Sequence, residues 1–288
     1  MSGGGSEAAA PWPAPAKLNL FLHIVGRRPD GYHELQTFFQ FVNLCDDIRI
    51  EVRADGAIRR GAGAPGVAPE ADLCVRAALA LKNATGCRLG ADIEVTKRIP
   101  MGAGLGGGSS DAATCLAALN RLWRLNLPTA ELAQLGLKLG ADVPVFVHGR
   151  AAWAEGVGER LTPLYPPEAP TEHNYLIIKP NVFVSTKDVF QDPELTRNSP
   201  PITIHGFLAS GGRNDCSGVV RRRYPEVAHA IDWLSRFGAA RLTGTGACVF
   251  MVCEPAQARE IVSRLPPEFE AFSVRGLNNS PLLERMAA

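Results

Sequence analysis

The chain has 288 residues, of which 46% are hydrophobic and 20% are charged, and its formal net charge is +1 at pH 7. This composition is typical of a globular protein that buries a core of normal size, and the near-neutral charge argues against a nucleic-acid-binding protein with its usual basic field. The seven cysteines include no CxxC pair, and no apolar stretch approaches the roughly 18 residues of a membrane span. We therefore expect a cytoplasmic protein with free thiols that binds neither nucleic acid nor membrane and is a monomer or weak homodimer.

The first part of the chain predicts an antiparallel β-structure. Residues 1–13 are rich in Gly, Ser, Ala and Pro and lack the regions of a signal peptide, so we expect a disordered lead-in. Residues 17–25 alternate apolar and polar side chains, which predicts a strand, and Pro29-Asp30-Gly31 predicts a turn. Two more strands are predicted at 37–44 and 47–53.

The middle of the chain surrounds a glycine-rich segment with regular elements. A loop, a helix and a strand are predicted before it, at 54–71, 72–83 and 92–99. After it, apolar residues at helical spacing predict a helix that Ser109 or Ser110 caps, with Asp111 in the first turn, where negative charge suits the helix dipole. A second helix is predicted to run to Gly140, a residue type that commonly ends helices.

The remainder of the chain mixes short elements without a regular repeat. Strands are predicted at 143–147, 151–155, 175–179, 248–253 and 271–274, and helices at 184–190, 217–223, 226–236 and 256–263. The proline-rich segment 161–171 is interpreted as a hinge between two halves. Arg221, Arg222 and Arg223 are interpreted as a solvent-exposed helix face. Because no βαβ repeat is visible, the pattern favours an α+β fold over a doubly wound parallel sheet.

The glycine-rich segment carries the strongest signal for function. It reads PMGAGLGGGSSD and contains five glycines. Each glycine held in one conformation costs roughly 0.5–1 kcal/mol relative to alanine, so a plain connector would not need five of them. A loop that approaches a phosphate closely and opens into a helix N-terminus does need them. We interpret it as a phosphate-binding loop, with a flexible connector as the alternative.

Two common phosphate-loop patterns fit this segment poorly. Gly102-x-Gly104-x-x-Gly107 matches the dinucleotide fingerprint, but no acidic residue follows a second strand about 20 residues later. The Walker A pattern fails because Gly108 stands where the lysine is required. Because the three glycines do match the dinucleotide fingerprint, a nicotinamide-binding oxidoreductase remains an alternative function.

The segment resembles the phosphate loop of the GHMP small-molecule kinases. Pro100, Gly104-Leu105-Gly106 and the run 109–113 match that loop, with Gly107-Gly108 inserted. The inserted pair is similar to the branch of the family whose substrate is a cytidine-diphosphate alcohol of the non-mevalonate isoprenoid route. Supporting motifs lie at 16–20, 28–34, 140–144 and 243–247, so the resemblance covers roughly residues 14–274.

The resemblance implies the two-domain α+β fold of the GHMP kinases. An N-terminal ATP-binding domain is expected at 14–165, and a C-terminal domain that closes over the substrate at 166–288. The reaction implied is ATP-dependent phosphorylation of an alcohol, with ATP and Mg²⁺ as cofactors. The implied ATP-binding residues are Pro100, Met101, Gly102, Ala103, Gly104, Leu105, Gly106, Gly107, Gly108, Ser109 and Ser110.

The resemblance also implies two catalytic residues, Asp142 as the base and Lys17 as its cationic partner. A carboxylate can accept the hydroxyl proton, and a lysine can stabilise negative charge on the transferred phosphoryl group. Considered without the resemblance, Asp142 is equally a turn residue and Lys17 a solvent-exposed strand position. Ser109 or Ser110 could hold Mg²⁺ or simply cap the helix, so we assign no metal ligand.

The implied substrate-binding residues are Asn19, Tyr32, His33, Thr186 and Phe190. In a strand, the side chain two residues beyond Lys17 faces the same side, which fits a substrate contact by the asparagine. Tyrosine and phenylalanine rings can stack on a pyrimidine base, although such rings are more often part of a core. The threonine and the phenylalanine lie four residues apart and can share a helix face.

One departure from the family pattern concerns the adenine site, where Asp72-Leu73 replaces a common Asn-Leu pair. An aspartate lacks the amide donor, which puts the adenine contacts of that region in doubt. Other functions also stay open: a homoserine or mevalonate kinase of the same family, or a non-catalytic nucleotide-binding module. The inserted Gly107-Gly108 argues against the first, and the presence of both Lys17 and Asp142 against the second.

Overall fold

The computed structural model describes residues 10–63 and 66–287, and within them ten strands form one sheet. The strands are β1 (Trp12–Arg27), β2 (His33–Arg53), β3 (Ile58–Arg60), β4 (Gly90–Thr96), β5 (Ala152–Gly156), β6 (Arg160–Pro163), β7 (Asn174–Pro180), β8 (Arg241–Leu242), β9 (Val249–Val252) and β10 (Phe269–Leu277). The helices are α1 (Leu73–Thr85), α2 (Gly107–Leu122), α3 (Thr129–Leu137), α4 (Val143–His148), α5 (Thr186–Gln191), α6 (Ile204–Ser210), α7 (Ser217–Arg223), α8 (Pro225–Leu234), α9 (Pro255–Val262) and α10 (Pro281–Ala287). None of these described helices has both the length and the apolar composition to span a bilayer.

The sheet joins an N-terminal half (β1–β6 with α1–α4) to a C-terminal half (β7–β10 with α5–α9). Its main path runs β3-β4-β2-β10-β7-β9-β8, and β1 and β5 also pair with β2. Strand β10 makes the junction, because residues 269–275 pair with β7 while Gly276 and Leu277 pair with β2. All pairings of these strands are antiparallel except that of β3 with β4. This mixed architecture confirms the predicted α+β class.

The strands predicted at 37–44 and 47–53 are one continuous strand, β2. The polar pair Asp46-Asp47 interrupts the apolar pattern in the sequence, but the backbone does not turn there. Asp46 is fully buried, and its Oδ1 accepts hydrogen bonds from the backbone N–H groups of Arg98 at 2.5 Å and Ile99 at 2.8 Å. A buried carboxylate satisfied in this way is compatible with an uninterrupted strand.

Two predicted irregular segments contain more structure than expected. The lead-in predicted at 1–13 overlaps β1, where Trp12 is buried beneath the Arg285 guanidinium, 5.3 Å from the ring centroid. Residues 1–9 lie outside the described part of the chain. The loop predicted at 54–71 contains β3 and a 3₁₀ turn at Pro69–Ala71, and its residues 64–65 are also outside the described part.

The strand predicted at 143–147 is wrong, because this segment forms helix α4. Proline occupies the first turn of the helix, where its missing N–H costs nothing, and Gly149 ends it at φ 66°. Residues 143–147 are all buried, so neither a helical nor a strand periodicity is visible in the sequence. The alternating valines therefore suggested a strand.

Three apolar clusters form the core, and β1 contributes to all of them. Ala14 belongs to the cluster of the N-terminal half, Leu18 to the cluster between the halves, and Ile24 to that of the C-terminal half. The chain also returns after β10, since Leu282 of α10 is buried in the first cluster. The domain boundary between residues 165 and 166 stays a prediction.

Candidate active site

A cleft of about 610 Å³ lies between the two halves, along the glycine-rich loop. It is lined by every predicted ATP-binding residue except Ser110, and also by Lys17, Asn19, Asp142, Thr186 and Phe190. Tyr32 and His33 do not line it. The cleft therefore brings together most of the sequence-predicted residues from four separate parts of the chain.

The glycines of the loop are required by its backbone. Gly102, Gly104 and Gly106 have φ values of 62°, 74° and 74°, a region that other residues enter at a cost. A methyl group added to Gly104 would collide with the carbonyl oxygen of Thr243, and one added to Gly106 would lie 2.8 Å from Phe146. The loop is thus packed closely on its outer side, and only glycine fits.

A second loop supports the glycine-rich loop from behind. It connects β8 to β9 and contains the motif at 243–247 noted in the sequence. The backbone N–H groups of Ala247 and Cys248 donate to the carbonyl oxygens of Gly102 at 3.3 Å and Ala103 at 3.1 Å. The segment is therefore both a hairpin turn and a support for the phosphate loop.

Helix α2 begins at Gly107, earlier than the serine caps predicted. Gly106 is the N-cap residue, and Ser109 and Ser110 lie inside the helix. The inserted glycines 107 and 108 adopt helical conformation, which extends the helix toward the cleft. Ser109 faces the cleft, whereas Ser110 is fully buried and its Oγ lacks a hydrogen-bond partner among the described residues. The two serine-cap predictions, and the placement of Asp111 in the first turn, are therefore wrong.

Lys17 and Asp142 meet at the floor of the cleft, with Lys17 Nζ 3.4 Å from Asp142 Oδ2. Lys17 is only 3% exposed, so it is not a solvent-exposed strand position. Its ammonium also donates to Asn19 Oδ1 and, at 3.1 Å, to the carbonyl oxygen of Gly104. Asp142 precedes α4 and caps no backbone group with its side chain, which leaves its partly exposed carboxylate facing the cleft.

Asn19 is fixed on both sides of its side chain. Its Nδ2 donates to Thr37 Oγ1 at 2.9 Å, while its Oδ1 accepts from Lys17. Its backbone N–H donates to Thr243 Oγ1 at 3.0 Å, which ties β1 to the supporting loop. The position of the lysine is therefore set by residues of both halves.

A second lysine that lines the cleft, half-buried Lys97, was not identified from the sequence. Its Nζ lies 2.5 Å from Asp46 Oδ2 and 2.6 Å from Asp111 Oδ2, beside the first turn of α2. Burial disfavours its charge, but the two carboxylates outweigh this and raise the pKa of Lys97. Burial raises the pKa of Asp111 to about 7 against the attraction of Lys97, and the charge of Asp46 adds to the rise. The three residues are far apart in sequence, and no local pattern links them.

The wall formed by the C-terminal half carries the predicted substrate residues Thr186 and Phe190. Thr186 Oγ1 lies 2.9 Å from Thr245 Oγ1, and the ring of Phe190 stacks on that of His33 with centroids 5.2 Å apart. Tyr32 is 63% exposed at the β1–β2 turn and makes no ring contact with either residue. Phe190 thus stacks on His33, and the stacking of Tyr32 and Phe190 on a pyrimidine base stays a prediction.

The arginine run 221–223 is not simply a solvent-exposed face. Arg222 and Arg223 reach buried Asp192, at 2.6 and 3.1 Å, and Arg222 also pairs with Glu194. The carboxylates lie some 30 positions earlier in the chain, so the local sequence pattern could not predict these ion pairs. The three side chains are 40–43% exposed on α7, which confirms the predicted solvent-exposed helix face, and the ion pairs with Asp192 and Glu194 are an additional role of this face.

Asp72, the departure from the family pattern, has a structural role at the edge of the cleft. Its carboxylate caps α1 by accepting the N–H of Cys74 at 2.8 Å, and its Oδ2 lies 3.1 Å from Arg60 Nε. Aspartate performs both tasks, and its charge suits the guanidinium. Because an aspartate side chain has no amide group, Asp72 cannot donate an amide hydrogen bond to a ligand in the cleft.

Two family models match the chain: GHMP kinases N terminal domain over residues 72–150, and GHMP kinases C terminal over residues 204–271. The chain is 58% identical over 276 residues to 4-diphosphocytidyl-2-C-methyl-D-erythritol kinase of Alkalilimnicola ehrlichii, covering 96% of this chain and 94% of the relative. It is 55% identical to the enzyme of the same name from Nitrosococcus oceani, covering 95% and 96%. A crystal structure of 4-(cytidine 5'-diphospho)-2C-methyl-D-erythritol kinase superimposes with a TM-score of 0.78 at 35% identity, covering 92% of this chain and 98% of that chain.

These similarities extend over nearly the whole chain and include both halves of the cleft. The N-terminal model spans the glycine-rich loop and Asp142, and the structural match confirms the GHMP-kinase fold predicted from the motifs. A nicotinamide-binding oxidoreductase is thereby ruled out. The chain belongs to the GHMP kinases and, within them, to the family of 4-diphosphocytidyl-2-C-methyl-D-erythritol kinases.

Proposed function

We propose that this chain transfers the γ-phosphoryl group of ATP to the 2-hydroxyl group of 4-diphosphocytidyl-2-C-methyl-D-erythritol, a step of the methylerythritol phosphate route to isoprenoid precursors. Identity of 51–58% to enzymes of that name over almost the full length supports this substrate. The observation that carries the catalytic part is the contact between Lys17 and Asp142 beside the glycine-rich loop.

Asp142 acts as the base in this proposal. Its carboxylate lines the cleft, is partly exposed and makes no capping hydrogen bond, so it is free to accept the proton of a substrate hydroxyl group. Lys17 stabilises negative charge on the phosphoryl group as it moves. Because Asn19 and Gly104 also hold the ammonium, the lysine needs no rearrangement before transfer.

ATP is the phosphate donor of GHMP kinases, and the glycine-rich loop offers a place for its phosphates. The first turn of α2 leaves backbone N–H groups without helical partners, and they face the cleft together with the positive end of the helix dipole. The proposed contacts are residues 100–110. Within this set Ser110 is buried, so its contribution would come through the backbone.

Mg²⁺ fits this cleft only as an ion shared with the phosphates. The described residues contain no cluster of three or more His, Cys, Asp or Glu side chains that could hold a metal. Mg²⁺ commonly keeps several waters and binds one or two protein oxygens plus substrate phosphates. The hydroxyl group of Ser109 faces the cleft and would supply such an oxygen, while the Asp142 carboxylate is kept for the role of base. When bound, the ion neutralises phosphate charge.

The alcohol substrate is proposed to bind along β1 and α5, with its cytidine base beside the ring pair of His33 and Phe190. Asn19 and Thr186 line the cleft between that pair and Lys17. Tyr32 is included because its exposed ring sits one residue from His33 and can turn toward a bound base. This assignment requires Tyr32 to move on binding.

We further propose a cytoplasmic enzyme that works as a monomer or weak homodimer and binds neither nucleic acid nor membrane. The near-zero net charge supports the absence of nucleic-acid binding. The division into an ATP-binding domain at 14–165 and a substrate-closing domain at 166–288 is likewise proposed. The two family models fall on either side of that boundary.

The direct test is release of ADP by the purified protein with Mg-ATP, with and without 4-diphosphocytidyl-2-C-methyl-D-erythritol. We expect ADP formation that depends on this alcohol. ADP formation with homoserine or mevalonate instead would keep the family assignment and remove the proposed cytidine site. ATP binding without turnover of any alcohol would favour a non-catalytic nucleotide-binding module.

A further inference from the structure

Arg197 is the centre of a hydrogen-bond network behind the ring pair of His33 and Phe190. Its guanidinium is part-buried and donates to a side chain of the opposite half and to a turn of its own half. The acceptors are His33 Nε2 at 3.0 Å and the carbonyl oxygens of Phe190 at 3.0 Å, Asp192 at 2.7 Å, Leu195 at 3.1 Å and Pro193 at 3.5 Å. One side chain thereby fixes both members of the ring pair.

The contact with Arg197 also fixes the protonation of His33. A guanidinium has donors only, so His33 Nε2 must be an acceptor, and the ring is neutral with its proton on Nδ1. Burial, Arg197 and Arg27 together lower the pKa of His33, which favours the same neutral form. Nδ1 has no hydrogen-bond partner among the described residues, which leaves its N–H unused within the protein.

A second layer holds Arg197 in place. The turn that supplies its carbonyl acceptors is anchored by Asp192, whose 4%-exposed carboxylate binds Arg222 and Arg223 and accepts the N–H of Glu194 at 3.0 Å. The arginine run on α7 therefore stabilises the turn on which Arg197 depends. The charged groups that act on the His33 ring are Arg197 and Arg27. The carboxylate of Asp192 is paired with the arginines of α7 instead.

We propose that Arg197 is a positioning residue for the base of the nucleotide-bearing substrate. It holds the His33 imidazole neutral, flat against Phe190 and with Nδ1–H available, which suits a planar base that presents a hydrogen-bond acceptor such as a ring nitrogen or carbonyl oxygen. The inference rests on the proposed function and adds to it a residue that acts through His33 and makes no contact of its own with the reacting atoms.

The test replaces Arg197 with glutamine or lysine and compares steady-state kinetics between pH 5.5 and 8.5. For Arg197→Gln we expect the KM for the alcohol to rise about tenfold, a change of about 1.4 kcal/mol, with kcat and the KM for ATP changed less than about twofold. The acid limb of kcat/KM for the alcohol should move to higher pH, because loss of the guanidinium charge lets the pKa of His33 rise toward its ordinary value of about 6.5. Arg197→Lys, which keeps a donor and a charge, should recover part of the affinity.

Two comparisons separate positioning from general damage to the fold. In a His33→Gln background, Arg197→Gln should cause little further rise in KM, because two residues that act through one contact are not additive. Arg264→Gln, which removes an exposed arginine that follows α9 and pairs with Glu260, should leave all constants unchanged. NMR titration of the His33 ring in wild type and Arg197→Gln, or in Arg197→Met if the glutamine variant fails to fold, measures the pKa shift without any substrate.

The outcomes distinguish this inference from the proposed function. If wild type does not phosphorylate the cytidine-diphosphate alcohol, the proposed function fails, and the NMR titration still decides whether Arg197 controls His33. If wild type is active but Arg197→Gln changes kcat alone, or adds fully to His33→Gln, the positioning role is overturned. An unchanged pKa of His33 in the variants that lack the positive charge, Arg197→Gln or Arg197→Met, would overturn it as well.

Discussion

At the scale of single residues, the ammonium group of Lys17 is held by three acceptors of different kinds. A buried ammonium is costly unless each N–H finds an acceptor, and here a carboxylate, an amide oxygen and a backbone carbonyl supply them. The group is therefore fixed in direction before any ligand arrives. Among these three acceptors, Asp142 is the one that presents a carboxylate to the cleft, and a carboxylate is a group that can take up a proton.

Replacing this carboxylate with an amide is the simplest test of its role. Asp142→Asn preserves shape but removes the base, so we expect kcat to fall about 10²–10⁴-fold, with the affinity for ATP retained. Steady-state kinetics and ATP titration measure the two quantities. Asp232→Asn, at an exposed position paired with Arg221, is the control and should leave kcat unchanged. Near-normal turnover of Asp142→Asn would remove this residue from the role of base.

The cluster of Lys97, Asp46 and Asp111 makes stability depend on pH in a specific way. In Lys97→Met the two carboxylates stay buried without a cation, so we expect the free energy of unfolding at pH 8 to fall by roughly 3–5 kcal/mol. A carboxyl group whose pKa is higher in the folded protein than in the unfolded chain lowers the free energy of unfolding as the pH rises. The loss begins near the pKa of the unfolded chain and is complete above the pKa of the folded protein. Because the pKa of Asp111 is already about 7 in wild type, part of the loss should be recovered at pH 5.

Urea unfolding at pH 5 and pH 8 measures this difference. Lys138→Met, at an exposed position after α3, is the matched control and should change the free energy of unfolding by less than about 0.5 kcal/mol. An equal loss for Lys97→Met at both pH values would show that the carboxylates do not cause it.

The sequence identified those residues of the site that belong to short continuous motifs. Lys17, Asn19, Asp142 and the glycine-rich loop were all found in this way, and the structure places them in one cleft. Lys97 and Arg197 were missed because the side chains that they contact lie 14 to 164 positions away in the chain. Such contacts depend on how the strands pair, which the local pattern does not contain.

At the scale of elements, the glycine-rich loop and the loop between β8 and β9 fold against each other. Their hydrogen bonds join the two halves directly behind the proposed phosphate site. Gly104 is the closest point, since it approaches the backbone of both Thr243 and Gly246. The shape of the phosphate loop therefore depends on a segment located about 140 residues later in the chain.

Gly104→Ala should disturb both loops at once. A left-handed conformation costs a non-glycine residue about 1–2 kcal/mol, and the collision with Thr243 adds to this, so we expect lower stability and weaker ATP binding. Denaturant unfolding and ATP titration report the two effects. Gly218→Ala, in α7 with no atom within 4 Å of the added methyl group, should instead stabilise the protein by about 0.5–1 kcal/mol. Unchanged ATP affinity in Gly104→Ala would argue against the close packing as a requirement for binding.

Secondary structure was predictable from the sequence where one face of an element is buried and the other exposed. The helix at 72–83 shows this, because α1 has buried Cys74, Ala78 and Leu81 along one side. Helix α4 was predicted as a strand because it is buried on all sides and too short to show a period. The continuous β2 was divided into two because buried Asp46 resembles a turn residue when its partners are unknown.

At the scale of the whole molecule, the two halves are held together by segments that cross between them. Strand β1 contributes to all three apolar clusters, and β10 pairs with strands of both halves. Helix α10 then returns to the N-terminal half, where Arg285 contacts Trp12. A cut at the predicted boundary between residues 165 and 166 would therefore remove α10 from the core of the N-terminal half.

Leu282→Ala tests how much the returning helix contributes. The side chain is 2% exposed, so its truncation should lower the free energy of unfolding by roughly 2–5 kcal/mol. Leu79→Ala, at a 43%-exposed position on α1, should change it by less than about 0.5 kcal/mol. Thermal or urea unfolding compares the two variants. Equal small effects would mean that α10 is only loosely attached to the N-terminal half.

The distribution of β1 over three clusters also has a consequence for synthesis on the ribosome. Leu22 and Ile24 emerge early, but the strands that cover them in the C-terminal half, β7 to β9, are made some 150 residues later. At about 5–20 residues per second this interval lasts roughly 8–30 s. For that time the nascent chain exposes an apolar strand that cannot yet be buried, which makes it a natural binding segment for a chaperone acting during translation.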